Sequence, residues 1–283
     1  MWIWLVLLYG VLKGAREICK KKALLTSSSV EVLLIYTLVA FLMVTPSAPN
    51  AMGLEPRFYF YIAIKSFVIF IAWICSFKAI KHLPLSLYGV LDLSRVLFAT
   101  LLGIIVLQEK MSPVHIVGLI LVCTGLLMLK FRSEGIISKT KEKVSAAIIF
   151  FALLSCGLNA VSGMMDKILM KDINSSQLQF WYMLFLCIFY IIYALVSHTQ
   201  VNVMRALKNG WIWLLALMFV IADKALFIAN ASLESTVTVM TLLKQAGCIV
   251  TILGGKFVFK EKHVGYKLVC AGVVIAGIVC GVM

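Results

Sequence analysis

Long apolar runs, each near the twenty residues that cross a hydrocarbon core, alternate with short polar or turn-forming clusters along all 283 residues. The spacing predicts ten spans, at about 2–20, 30–47, 58–78, 84–107, 113–130, 144–165, 177–197, 211–230, 235–258 and 264–282. No stretch is left over for a soluble domain. The longest polar stretch, FRSEGIISKTKEK from Phe131 to Lys143, falls near the middle of the chain. It reads as a linker, residues 131–143, between a first half at 1–130 and a second at 144–283.

Sliding the chain against itself by 152 residues supports this division: Gly103 meets Gly255, Glu109 meets Glu261, Lys110 meets Lys262 and Gly125 meets Gly277. An odd number of helices per copy inverts the second copy in the membrane, an architecture that places a transport site between the halves. The expected fold class is therefore an all-α membrane protein with ten transmembrane helices arranged as two inverted five-helix repeats.

Composition agrees with the pattern. Apolar residues make up 63% of the chain and charged residues 13%, against about 45–50% and 25% in soluble domains. The net charge of +14 is read as loop lysines and arginines that set orientation and meet anionic headgroups, not as a nucleic-acid footprint. Fourteen basic residues fall in the odd connections, Lys20, Lys21 and Lys22 among them, and four in the even ones: Arg57, Lys110, Lys167 and Lys171. This asymmetry puts the odd connections in the cytoplasm and both termini outside. The eight cysteines form no C-x-x-C pair and read as small buried hydrophobes. The segment from Met1 has no basic leader and is expected to be a retained first helix.

The segments Leu83-Pro84-Leu85-Ser86, Asp92-Leu93-Ser94-Arg95 and Gly103 through Glu109-Lys110 to Gly118 and Gly125 resemble the EamA family of the drug/metabolite transporter superfamily. A second copy runs from Ala231 through Gly254-Gly255 and Lys260-Glu261-Lys262 to Gly272 and Gly277. The resemblance implies ten helices in two inverted repeats and a transport activity, with both termini more often cytoplasmic, opposite to the charge count. Family members handle amino acids, sugars, nucleotide derivatives, amines and drugs, so no cargo is implied. The second copy replaces Asp92 and Arg95 by Lys244 and Gly247, which makes any site asymmetric.

Ionisable side chains within spans are expensive and normally face a cavity or a partner. Asp92 and Arg95, three residues apart, share a helical face and either pair or line the substrate path. Thr238, Thr241, Lys244, Gln245 and Cys248 form a polar stripe expected to point inward. Of the neighbours Asp223 and Lys224, separated by about 100° around the helix, Asp223 is expected to face the cavity. Lys13, Arg16, Glu17 and Lys20 fall at i, i+3, i+4 and i+7, and this charged face is either structural, with Arg16 pairing with Glu17 and Lys20 snorkelling outward, or part of the path; Lys13 lies deeper, and Lys65 in the third helix carries the same two readings. Substrate binding is thus assigned to Asp92, Arg95, Lys244, Gln245, Thr241, Asp223 and Lys13, and proton coupling to Asp92, Asp223 or Glu17. Trp73, Phe77, Tyr88, Trp181 and Trp213 are candidate aromatic walls. Glu109-Lys110 and Glu261-Lys262 at span ends read as structural, and Ser112-Pro113 as an N-cap and first helical position. Gly272-x-x-x-Ala276 and Gly277-x-x-x-Gly281 read as helix-packing stripes, with a homodimer as a further use.

Enzyme signatures are missing: the four histidines lie near different span ends without H-E-x-x-H, and neither a P-loop nor a G-x-S-x-G elbow occurs. No metal or other cofactor is called for. The expectation is a secondary transporter of a small polar or amphipathic metabolite, with an amino-acid-like zwitterion suiting a site of mixed charge. It would lie in the plasma (inner) membrane of a bacterium, with the lipid bilayer and a small-molecule substrate as its partners and no nucleic acid. The rival readings are a non-translocating membrane scaffold or sensor and a lipid-linked sugar flippase.

Overall fold

The computed structural model describes residues 2–108, 113–137, 146–197, 201–261 and 264–280. All regular elements among them are helices: α1 (Trp2–Ala23), α2 (Ser29–Val44), α3 (Pro56–His82), α4 (Leu85–Leu91), α5 (Arg95–Ile105), α6 (Pro113–Ile137), α7 (Ala146–Leu169), α8 (Ser175–Val196), α9 (Val203–Lys208), α10 (Gly210–Asn230), α11 (Val237–Lys244), α12 (Gly247–Phe257) and α13 (Val264–Cys280). A 3-10 segment, Thr45–Ala51, extends α2, and a 3-10 turn, Asp92–Ser94, joins α4 to α5. Helix satisfies the backbone within the segment, the requirement a hydrocarbon solvent imposes.

Helix starts follow local chemistry. Ser28 and Glu31 form a capping box at α2, the Glu31 N–H donating to Ser28 Oγ at 3.2 Å and the Ser28 N–H to Glu31 Oε2 at 2.8 Å. Asn174 and Gln177 do the same for α8. Pro56 opens α3, where a missing N–H costs nothing.

Among the described residues, six segments are long and apolar enough to cross a membrane: Ser29–Ala51, Pro56–His82, Leu85–Ile105, Ala146–Leu169, Ser175–Val196 and Gly210–Asn230. The protein is therefore an all-helical, multi-pass integral membrane protein. α1 is not among the six; it carries Lys13, Arg16, Glu17 and Lys20 along its length. α6 runs on to Ile137, past the expected span end at 130 and into the segment read as a linker.

Two expected continuous helices are broken. The fourth is α4, the Asp92–Ser94 turn and α5; the ninth is α11 and α12, interrupted at Gln245 and Ala246. The breaks share one register. Leu85 and Val237 open α4 and α11, Arg95 and Gly247 open α5 and α12, and each pair is 152 residues apart. Gln108 and Lys260, also 152 apart, both take the left-handed conformation at φ 51°. The expected single stripe from Thr238 to Cys248 is thus divided by the break, and the side chain of Thr238 lies outside the described residues.

Helices distant in sequence pack together: α1 against α10 and α12, α3 against α7 and α8, α2 against α8, and α6 against α13. The first of these contacts is close. A Cβ on Gly14 of α1 would meet Val250 Cβ of α12 at 2.7 Å, and one on Gly10 would meet Lys244 O at 3.1 Å. These glycines let α1 lie directly over the α11–α12 break.

Candidate functional site

α1, α2, α3, α4, α5, α7, α8, α10 and α11 line a central cavity of about 80 Å³. α1 supplies Lys13, Arg16, Glu17 and Lys20; α3 supplies Lys65, Ile69, Trp73, Ser76 and Phe77. Both sets follow the i, i+3/i+4, i+7 rows of one helical face. α7 contributes Asn159, Ser162, Gly163 and Asp166, and α10 contributes Leu215, Phe219, Asp223, Leu226 and Phe227.

These positions correspond. Lys13, Arg16, Glu17 and Lys20 match Asn159, Ser162, Gly163 and Asp166 at a constant offset of 146, as do Tyr36 and Tyr182. Lys65, Ile69, Trp73, Ser76 and Phe77 match Leu215, Phe219, Asp223, Leu226 and Phe227 at an offset of 150. The residue types differ in eight of these ten pairs, Tyr36 with Tyr182 and Phe77 with Phe227 being alike, so self-comparison by identity finds the repeat only faintly, whereas the cavity-facing register is the same.

Charge fills the cavity unevenly. Six cations line it, Lys13, Arg16, Lys20, Lys65, Arg95 and Lys244, with three carboxylates, Glu17, Asp166 and Asp223. A fourth carboxylate, Asp92, sits in a small adjoining pocket with Gly89, Cys248 and Thr251. Asp92 ion-pairs with Lys13 and, at 2.8 Å, with Arg95. Arg16 reaches Asp223 at 3.4 Å, and Lys20 reaches Glu17 at 2.9 Å. Lys65 Nζ lies 2.9 Å from Asp166 Oδ1, an ion contact whose angle leaves Oδ1 without a hydrogen bond. The same ammonium stands 3.4 Å over the Tyr182 ring. Lys244, 8% exposed, has no ion-pair or hydrogen-bond partner among the described residues and faces the Tyr9 ring at 5.6 Å.

Of the residues assigned to substrate binding, Lys13, Arg95, Thr241, Asp223 and Lys244 line the cavity. Asp92 stands one layer behind, bridging two of its cations. Gln245 is buried at the helix break, outside the cavity wall, with its Nε2 unpaired. Two expectations on α1 are corrected. Arg16 and Glu17 do not pair, because adjacent residues point about 100° apart; Arg16 turns to Asp223 and Glu17 to Lys20. Lys20 does not snorkel to the surface but is buried against Glu17 and 4.8 Å from the Phe77 ring.

Lys224 points away from the cavity and donates to Ser176 Oγ at 2.7 Å, as its spacing from Asp223 predicts. Trp73, Phe77 and Tyr88 are wall residues. Trp181 instead donates to Ala51 O and Trp213 to Leu207 O, both at 2.9 Å. Asp166 was missed: the expected span ended at 165, whereas α7 continues to Leu169 and keeps Asp166 inside, against Lys65. Lys167, counted among the loop bases, donates to Asn230 O at 3.0 Å and to Ser232 O and Ser235 Oγ at 2.7 Å. Glu109, Lys110, Ser112, Lys262 and Gly281 lie outside the described residues.

No curated protein matches the chain. A crystal structure of another protein superimposes on it with a TM-score of 0.69, covering 97% of this chain and 98% of that one at 14% identity. At that identity the likeness is one of fold. The model of the EamA-like transporter family matches residues 1–131, the segment holding α1 through α5 and most of α6. Over residues 1–131, which carry much of the cavity described above, the chain is similar to the EamA-like transporter family, in keeping with the drug/metabolite transporter superfamily.

Proposed function

We propose that the chain is a secondary transporter that moves a small polar or amphipathic metabolite by alternating access between two inverted five-helix halves, residues 1–130 and 144–283. The observation that carries this reading is the paired register around the cavity: α1 with α7, α2 with α8, and α3 with α10 present matching positions to one central space. The shared 152-residue register of the broken helices supports it further. In an inverted pair, two arrangements of one packing exchange roles, so the cavity opens to one side and then the other. Broken helices suit this work, since unwound backbone near the midplane is tolerated where it borders a cavity. The bacterial inner membrane is the setting we assign, and Asp223, held by the longest of the cavity's ion pairs, is the carboxylate we assign to proton coupling.

Proteoliposomes supply the test. Counterflow should occur for one class among amino acids, sugars, polyamines, nucleosides and organic acids, and an imposed proton gradient should raise its accumulation. Equal accumulation with and without the gradient would remove proton coupling. Flux of no class would remove transport.

A further inference from the structure

We infer that the cargo is an organic anion, a carboxylate or phosphate bearing an apolar or ring-containing body, whose negative head sits between Arg95 and Lys244. This rests on the transporter reading and names the substrate class of the same cavity.

The argument is one of uncompensated charge. Six cations meet four carboxylates in and beside the cavity. Three of the pairings are one to one: Arg16 with Asp223, Lys20 with Glu17, and Lys65 with Asp166. The fourth carboxylate, Asp92, serves both Lys13 and Arg95, which leaves that group one positive charge in excess. Lys244 adds a second: it makes no direct ion pair among the described residues, and the carboxylates that act on it from farther off, Asp166 and Asp223, are already engaged by Lys65 and Arg16. Arg95 also keeps a buried Nε–H without an acceptor. A buried charge without a partner costs several kcal/mol, and more so within a membrane. A group that is nine-tenths buried, unpaired and aimed into an open cavity is set to receive the missing anion.

Part of the same cavity wall is aromatic. Trp73 and Phe219 stand edge to face at 5.2 Å, with Tyr36 5.5 Å from Trp73. Such a wall takes a ring or an apolar chain. The zwitterion expectation holds for a balanced cavity, and this one is not balanced.

The test uses the purified full-length chain in detergent and four probes at millimolar concentration and fixed ionic strength. Three share a ring and differ in head charge: 3-phenylpropionate (anion), phenylalanine (zwitterion) and phenethylamine (cation). The fourth, succinate, is an anion without a ring. In wild type, 3-phenylpropionate should raise the unfolding midpoint by roughly 2–4 °C, and phenethylamine should not. Lys244→Gln should lose this response, and Lys244→Arg should keep it. Without ligand, Lys244→Gln should unfold at or above the wild-type midpoint, because it removes a charge that no partner offsets. The inference is overturned if neither anion raises the midpoint, if the zwitterion or cation alone does, if the Lys244→Gln response to anion is unchanged, or if unliganded Lys244→Gln unfolds earlier than wild type. Proteoliposome flux of a cation or zwitterion without anion binding would remove this inference and leave the transporter. Anion binding without flux would do the reverse.

Discussion

Glu261, just beyond α12, closes the N-terminus of α4 from the far end of the chain: its Oε1 accepts the Leu85 N–H at 2.6 Å and its Oε2 the Ser86 N–H at 3.2 Å. The Ser86 hydroxyl also donates to Oε2, and Lys267 Nζ lies 3.6 Å away. Free N–H groups at a helix start need acceptors, and a carboxylate there meets the positive end of the helix dipole as well. Glu261→Ala is expected to lower stability by about 0.5–2 kcal/mol, the range for lost caps, with Glu261→Gln losing less. Thermal unfolding of the three proteins in detergent checks this. Equal midpoints for Glu261→Ala and wild type would deny the cap any energetic role.

Lys260 makes that cap by taking φ 51°, which turns the chain back just before Glu261. A side chain in the left-handed region costs roughly 1–2 kcal/mol, whereas glycine bears no such penalty. Glycine's larger entropy loss on folding, about 0.5–1 kcal/mol, offsets part of the gain. Lys260→Gly should therefore be stabilising by under about 1 kcal/mol, and Lys260→Val should be clearly destabilising. Chemical denaturation of both variants would expose an error if Lys260→Gly were the less stable of the two.

Much of this was legible in the sequence, because hydrophobic run length reports directly on what lipid surrounds. The helical class follows from the length of the apolar runs, and the place of Asp223 on the cavity wall from its spacing on the helix. Asp166 was hidden because a single carboxylate near a span end reads as solvated, and only the fold shows Lys65 waiting for it. The partner of Arg16 was hidden for the same reason: Asp223 is 207 residues away, and a contact between α1 and α10 leaves no local pattern. The breaks at Asp92–Ser94 and Gln245–Ala246 carry neither proline nor a glycine pair inside them, so the apolar run read as continuous. The Gly10-x-x-x-Gly14 stripe went unread because Lys13 and Arg16 drew the reading of that helix towards charge.

The Lys65–Asp166 pair predicts a strong asymmetry between single and double variants. Lys65 is 1% exposed, so Lys65→Met leaves Asp166 with a buried, unpaired charge. Breaking such a pair costs about 3–5 kcal/mol, while replacing both partners by neutral groups is often tolerated. Lys65→Met should be poorly folded, and Lys65→Met/Asp166→Asn should recover most of the lost stability. A double-mutant cycle on fluorescence size-exclusion profiles and melting midpoints measures this. Additive losses would mean that the two groups do not act on each other.

The glycine stripe of α13 separates into two positions with opposite expectations. A Cβ on Gly277 would meet Gly118 O at 2.7 Å and Leu121 Cβ at 2.9 Å, so this face is taken by α6 of the same chain. A Cβ on Gly272 meets nothing within 4 Å among the described residues. Gly277→Leu should destabilise by overpacking, typically about 1–3 kcal/mol, and Gly272→Leu should be close to neutral. Melting midpoints compare them directly. Similar losses at both sites would show that position 272 is also covered, as by a second copy of the chain.

Gly14 tests whether the crossing of α1 over the α11–α12 break sets the cavity's charge pattern. Its missing side chain brings α1 within reach of Gly247 and Val250, and one residue earlier Lys13 pairs with Asp92. A larger residue at 14 must push α1 outward, which lengthens the Lys13–Asp92 pair and shifts Arg16 relative to Asp223. Small residues at such crossings permit the backbone contact that membrane helices use in place of hydrophobic burial. Gly14→Val should therefore lower both stability and transport, and Gly14→Ala, whose Cβ alone would clash with the Gly247 carbonyl, should also destabilise and should reduce transport more than that loss explains. The discriminating measurement is initial uptake rate in proteoliposomes, normalised to folded protein. If Gly14→Ala transports at the wild-type rate, α1 tolerates displacement and the position of Lys13 is set by its ion pair with Asp92 instead of by the helix crossing.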